Sequence, residues 1–261
     1  MLKKALKDLI KHRELLQQFT LREIRIRYKQ TVLGVLWAIL QPLSMMIIFS
    51  IVFSKFAKIK TGGIPYPIFY YSALLPWTFF ASSVTFGITS IVRNMNLVTK
   101  VYFPREIFPL SSIFACFIDF LVASTIFIGM MIFYKVEFSL NLLFFPLLVF
   151  IQIIFTCGIC FLGSALNVYF RDIRFAVPLG IQLWMFLTPI IYPLEMVPKK
   201  YLYIYLLNPM AGLIDSYRRI FLKSQSPNFL YLEEAIIISI SLFFISWFLF
   251  KRLEKNFADV I

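Results

Sequence analysis

Six apolar runs, each on the order of 20 residues or longer and nearly free of charge, leave this chain few ways to fold. At 1.5 Å of rise per residue, a helix of about 20 residues crosses a hydrocarbon layer roughly 30 Å thick. The runs read as Thr31–Ser54, Ile64–Val92, Ile107–Tyr134, Leu142–Val168, Ala176–Leu194 and Glu234–Phe250. They account for a hydrophobic content of 60% and a mean hydropathy of +0.82, where a soluble domain needs about 45–50% apolar residues. None shows the alternating period of a barrel strand. Backbone polar groups inside a hydrocarbon layer must be satisfied internally, so the expected fold is an all-α membrane protein of six transmembrane helices.

The formal net charge is +13, from 26 Lys and Arg against 13 Asp and Glu. The charges gather at the ends of the apolar runs, which points to topology signals and anionic lipid headgroups rather than to nucleic acid. Most of the cations lie in the two termini and in the second and fourth connectors. That bias places both termini in the cytoplasm, with Lys55, Lys58 and Lys60 as the dissenting loop. The first 30 residues lack the short apolar core of a cleavable signal, so insertion through the first run is expected. Leu2, Leu6, Leu9, Ile10, Leu16 and Phe19 recur at helical spacing among Lys3, Lys4, Lys7, Lys11 and Arg13. Such an amphipathic helix lies on the membrane surface or packs on a cytoplasmic partner, and the sequence leaves both open. The chain thus divides into a cytoplasmic segment 1–30, a transmembrane domain 31–255 and a tail 256–261.

Several chemistries have no support in the sequence. There is no GxxxxGK[ST] phosphate loop, no HExxH and no DxD acidic pair. Cys157 and Cys160 have CxxC spacing but no second cysteine pair, and the one histidine is His12, so two small residues one turn apart is the better reading than metal. Asp119 is the one acid deep in a run. A carboxylate there marks either an ion or substrate pathway or a hydrogen bond to a neighbouring helix. Trp37, Phe49, Phe53 and Trp184 could stack on sugar faces if they face a channel, and otherwise pack. Arg171, Asp172 and Arg174 read as a salt-linked helix end. Pro189 and Pro193 break the end of the fifth run, and Asn208-Pro209 reads as a break between two helices.

Four stretches, in order along nearly the whole chain, carry a family resemblance. They are Arg25-Ile26-Arg27-Tyr28-Lys29-Gln30-Thr31 with Leu33-Gly34, Trp37, Leu40 and Pro42; Asn96 through Glu106; Asn167-Val168-Tyr169-Phe170-Arg171-Asp172-Ile173; and Thr188 through Pro193 with Val197-Pro198, Asn208-Pro209 and Tyr217-Arg218. Together they resemble the ABC-2 permeases that export O-antigen, capsule and teichoic-acid polymers, the Wzm-type subunits of bacterial inner membranes.

The resemblance implies a half-transporter. Two copies form the pore, two copies of a separate ABC ATPase bind from the cytoplasm with ATP and Mg, and no cofactor sits on this chain. The cargo is polysaccharide linked to undecaprenyl pyrophosphate. The N-terminal helix becomes an interface helix, and Arg93–Glu106 becomes the coupling connector, with Lys100, Pro104, Arg105 and Glu106 meeting the ATPase. Val197–Leu207 and Pro209–Leu222 become short re-entrant helices between spans five and six, acting as a gate. Arg25, Arg27 and Lys29 are placed to attract the carrier pyrophosphate, or serve as topology determinants alone. Trp37 and Arg218 join them as substrate or carrier-lipid candidates. A permease for a smaller lipid or drug shares this fold. A stand-alone carrier rests only on Asp119, and a membrane glycosyltransferase lacks its acidic pair.

Overall fold

The computed structural model describes residues 2–29, 31–101 and 103–257, with side chains from Lys7 onward. Among these residues every regular element is a helix. The chain opens with α1 (Leu2–Lys11) and α2 (Arg13–Tyr28), separated at His12, whose ring bonds the Asp8 carbonyl. One amphipathic helix was expected over residues 1–19; two are present, and Leu2 and Leu6 of the expected apolar face lie outside the described side chains. One face of the α2 half packs on the bundle itself. Phe19 meets Phe108 at 5.3 Å and Phe103 at 6.0 Å between ring centroids.

Gly34, at φ +52°, turns the chain into α3 (Trp37–Ser50), which runs on through a π-helical stretch to Phe56. Then follow α4 (Tyr66–Arg93), the short α5 (Met95–Lys100), α6 (Ile107–Phe133), α7 (Phe145–Tyr169) and α8 (Ile173–Phe186). Two short helices, α9 (Lys199–Leu206) and α10 (Pro209–Leu222), precede α11 (Phe229–Leu253). Asn208 caps α10 by accepting from the Met210 N–H at 3.1 Å, with Pro209 in the first turn, where its missing N–H costs nothing. Among the described residues, five helices are long and apolar enough to cross a membrane: Gly34–Phe56, Tyr66–Arg93, Ile107–Phe133, Leu140–Tyr169 and Phe229–Asn256. These match five of the six apolar runs. The tail beyond Phe257 lies outside the described residues.

α4 is the centre of the bundle, packed on α6, α7, α3 and α10, while α7 carries α11. Small residues set the closest approaches, as expected where apolar lipid gives helices no hydrophobic reason to associate. A Cβ on Gly87 would lie 2.7 Å from the Cys160 sulfur, and one on Gly212 would lie 2.8 Å from the Tyr231 carbonyl. Cys157 and Cys160 are buried in α7, where the Cys160 thiol donates to the Ser83 carbonyl at 3.4 Å. Pro76 stands inside the unbroken α4. Its carbonyl accepts from Gln152 Nε2 of α7 at 2.7 Å, and Gln152 Oε1 accepts from Tyr217 of α10 at 2.9 Å. One buried amide thus ties three helices. Phe49 stacks on Tyr70, and Trp184 packs edge-on against Phe80 and Phe155, so these aromatics serve ring packing. By contrast α3 buries only Pro42, and α8 buries nothing.

The fifth apolar run is broken near its end, as Pro189 and Pro193 predict, and its helix is shorter than the five above. Its helix, α8, has 14 residues, about 21 Å of rise, and stops at Phe186. Pro189 and Pro193 cannot donate to a continuing ladder, and the chain is non-helical from Leu187 through Pro193. The released carbonyls are nevertheless held. Arg218 of α10 donates from Nη1 to Pro189 at 2.5 Å and to Tyr192 at 3.1 Å, and from Nη2 to Ile190 at 2.6 Å. The Tyr66 hydroxyl donates to Ile191 at 2.8 Å. Two side chains therefore satisfy four consecutive carbonyls, while the Arg218 guanidinium lies 3.7 Å from the centroid of Phe69. The salt-linked end expected at the start of α8 is not formed: no ion pair joins Arg171, Asp172 and Arg174, and Arg174 lies over Phe175 at 4.6 Å.

Each buried carbonyl left without a donor costs about 1–3 kcal/mol. Replacing Arg218 with Leu is therefore expected to lower the thermal unfolding midpoint of the detergent-solubilised protein sharply, with Arg218→Lys intermediate because one ammonium reaches fewer of the three carbonyls. The check is a melting series of the three proteins in one detergent.

Candidate functional site

A cavity of about 600 Å³ opens between α2 and α3 on one side and α4 and α6 on the other. The sequence folds this way because of a stripe on α2. Phe19, Glu23 and Arg27 recur every four residues on the side that meets α6, and the first two are buried. The stripe delivers Arg27 to Asp119. Arg27 Nη1 lies 2.9 Å from Asp119 Oδ2, and the Tyr28 hydroxyl donates to Asp119 Oδ1 at 2.7 Å. Arg27 Nη2 also reaches the Ser112 carbonyl at 3.4 Å, and its guanidinium stands 4.1 Å from the centroid of Phe86. The carboxylate is thus paired with a neighbouring helix, and it also lines the cavity, with 23% of its side chain exposed. Burial first, and the bond to Asp119 second, push the Tyr28 phenol up from its ordinary value, so it remains a donor throughout the physiological range.

At the mouth, Arg93 is balanced by Glu23 at 3.4 Å and donates to the Phe86 carbonyl at 3.1 Å. Arg22 donates to Asn94 at 2.9 Å, fastening α2 to the start of the connector. With both arginines paired, the cavity is close to neutral. It offers a guest amide and hydroxyl groups (Gln41, Thr78, Ser82) and the rings of Trp37 and Trp77. That surface suits an uncharged polar or amphiphilic guest. Among the described residues, no cluster of His, Cys, Asp and Glu could hold a metal ion.

Of the residues singled out by the sequence, Arg27 and Trp37 come together here. Arg25 and Lys29 stay exposed on α2 and do not line the cavity. Arg218 is elsewhere, 4% exposed against the carbonyls after α8, and a headgroup could reach it only by displacing them. The connector residues separate by exposure. Lys100 is exposed at the end of α5, and Pro104 and Arg105 are half-buried, with Arg105 Nη1 donating to the Val101 carbonyl at 2.9 Å. Glu106 has no exposed surface and pairs with Lys251 of α11. Tyr102 of the connector motif, and Gln30 of the first motif, lie outside the described residues.

Sequence reasoning missed the partner of Asp119, 92 residues away, although the four-residue stripe of α2 carried the signal. It also missed Gln152, for which a lone amide inside an apolar run was the available sign. Removing the charge at position 119 leaves the Arg27 guanidinium, with 12% of its side chain exposed, without its counter-ion. Asp119→Asn is therefore expected to destabilise the protein by about 1–3 kcal/mol, a partly solvated version of breaking a buried pair, and to loosen α2. Faster hydrogen exchange confined to α2 and its contacts on α6 is the measurement that checks it.

Residues 14–222 match the family described as ABC-2 type transporter. The chain is 34% identical to an O-antigen export system permease protein RfbA of Klebsiella pneumoniae, over 95% of both chains. It is 30% identical to the protein of that name from Myxococcus xanthus, over 99% of each. The polysialic acid transport protein KpsM of Escherichia coli is 26% identical over 75% of this chain and 76% of its own. A family match through most of the chain, relatives aligned nearly end to end, and a bundle of long apolar helices agree: this chain belongs to the ABC-2 type transporter family.

Proposed function

We propose that this chain is the membrane-spanning permease of an exporter that moves a polysaccharide of the O-antigen kind across a bacterial inner membrane. The observation that carries the reading is the end-to-end similarity to the two O-antigen export permeases, at 34% and 30% identity. The multi-pass bundle supports it, since five long apolar helices are what a permease needs and what a soluble binding module lacks.

In this reading ATP and Mg are handled by two copies of a separate ABC ATPase, and two copies of this chain enclose the path. α3 and α8, with one buried residue between them, leave wide apolar faces for the second copy and for lipid. The fifth crossing is completed by α8 together with the held, non-helical residues 187–193, and α9 and α10 re-enter the outer leaflet as a gate. Both termini face the cytoplasm, as the cation bias requires. The ATPase docks on the end of the molecule where α2, α5 and the last turn of α11 lie together, with Lys100, Pro104 and Arg105 as contacts. The cargo is carried on undecaprenyl pyrophosphate, which Arg25 and Lys29 meet as exposed cations at the foot of the first span, with Trp37 inside the cavity beyond them.

Purification of the tagged chain from its host in mild detergent is expected to bring down an ABC ATPase in about equal amount, and a chain reproducibly alone across several detergents removes the half-transporter reading. Within the complex, Lys100→Glu with Arg105→Glu is expected to leave membrane insertion intact while ATP hydrolysis continues without export. Normal surface polysaccharide in cells carrying that double variant removes the connector from its coupling role.

A further inference from the structure

Glu106 is the charged residue of the connector that solvent does not touch. It stands at the N-terminus of α6, and its carboxylate pairs with Lys251 in the last turn of α11. The same ammonium donates to Glu254 Oε1 at 2.9 Å, so one cation lies between carboxylates drawn from opposite halves of the chain. Elsewhere the two helices keep different company. α6 packs mainly on α4 and α2, and α11 mainly on α7 and α10. The pair therefore joins two helices that otherwise touch each other little, at the end where the connector turns.

Two contacts tie the residues just before Glu106 to their neighbours. Phe103 is buried and packs edge-on against Phe108 at 5.3 Å, and Arg105 is fastened to the Val101 carbonyl. A displacement of α5 thus carries Glu106 with it. An apolar contact can slide by a fraction of a side chain, whereas a desolvated carboxylate cannot leave its ammonium without being stranded. Such a pair adds little net stability over apolar packing, so what it supplies is a fixed register between the parts it joins.

We propose that Glu106 and Lys251 are positioning residues that pass movement of the connector to the last span, so that α6 and α11 shift together when the ATPase acts. The proposal rests on the reading of the connector as the ATPase-facing element. Glu106 is accordingly not a contact to the ATPase, in contrast to Lys100.

The test measures ATP hydrolysis by the purified complex and surface polysaccharide in the native host, each for the same variants. Glu106→Gln and Lys251→Met are expected to bind the ATPase and hydrolyse ATP while export per ATP falls about ten-fold. Lys251→Arg is expected to recover most of the loss. So is the reversed pair, Glu106→Lys with Lys251→Glu, carrying Glu254→Gln so that no carboxylate faces the new one. Unchanged export per ATP in the single variants overturns the proposal. So does a loss that neither the Arg variant nor the reversed pair recovers. Should Glu106→Gln fail to reach the membrane, Lys251→Met against Lys251→Arg decides on the same ratio. Failure of the underlying reading has a different signature: normal export by the Lys100→Glu, Arg105→Glu protein.

Discussion

A carbonyl that leaves its helix in an apolar surround must find another donor, and the architecture between α8 and α10 is arranged around that requirement. Pro189 and Pro193 end the helical ladder, and four consecutive carbonyls pass to Arg218 and Tyr66. The donors come from α10 and from the first turn of α4. The break therefore fixes α10 against the central helix and orients the two short helices that follow it. Gln152 repeats the logic on a smaller scale, taking the Pro76 carbonyl on one side and the Tyr217 hydroxyl on the other. Tyr217 and Arg218 are adjacent, so α10 is held by consecutive residues facing two different neighbours.

Charge is used at the other end of the bundle. Arg27 with Asp119, Arg93 with Glu23, and Glu106 with Lys251 each join segments far apart in sequence. Each pair includes at least one largely desolvated side chain, where register matters more than net stabilisation. Their joint effect is that α2, the connector and the end of α11 form one body beneath the spans. The cavity above is left nearly neutral, with aromatic and hydroxyl groups as its main resources. Such a surface does not grip a charged group tightly, and it suits an uncharged polar or amphiphilic guest.

Five spans were legible from hydropathy alone, because length and apolar content are local properties. Asn208-Pro209 was legible too, since capping involves residues two apart. The break near the end of the fifth run was legible from Pro189 and Pro193, whereas Arg218 and Tyr66, which hold the freed carbonyls, lie too far away in sequence to be read locally. Glu106 was grouped with Lys100 because both sit in one basic connector, and nothing local distinguishes a carboxylate facing a partner from one facing Lys251. Arg27 and Arg25 differ only by their angle on α2. The stripe through Phe19 and Glu23 contains that angle, but its meaning depends on where α6 lies.

The seating of α2 bears on the order in which the molecule can be made. Phe19 and Arg27 are synthesised long before Phe103, Phe108 and Asp119, which receive them, the last pair being separated by 92 residues. At ribosomal speeds this leaves α2 without its partners for on the order of 5–20 s. Throughout that interval its apolar stripe needs shelter, and its cations favour an anionic membrane surface as the temporary berth. A helix made near the start of the chain is thus seated only after α3, α4 and much of α6 have followed it. Its arrival closes the underside only after the third long helix is in place, so a chain stalled before that point is left with its underside open.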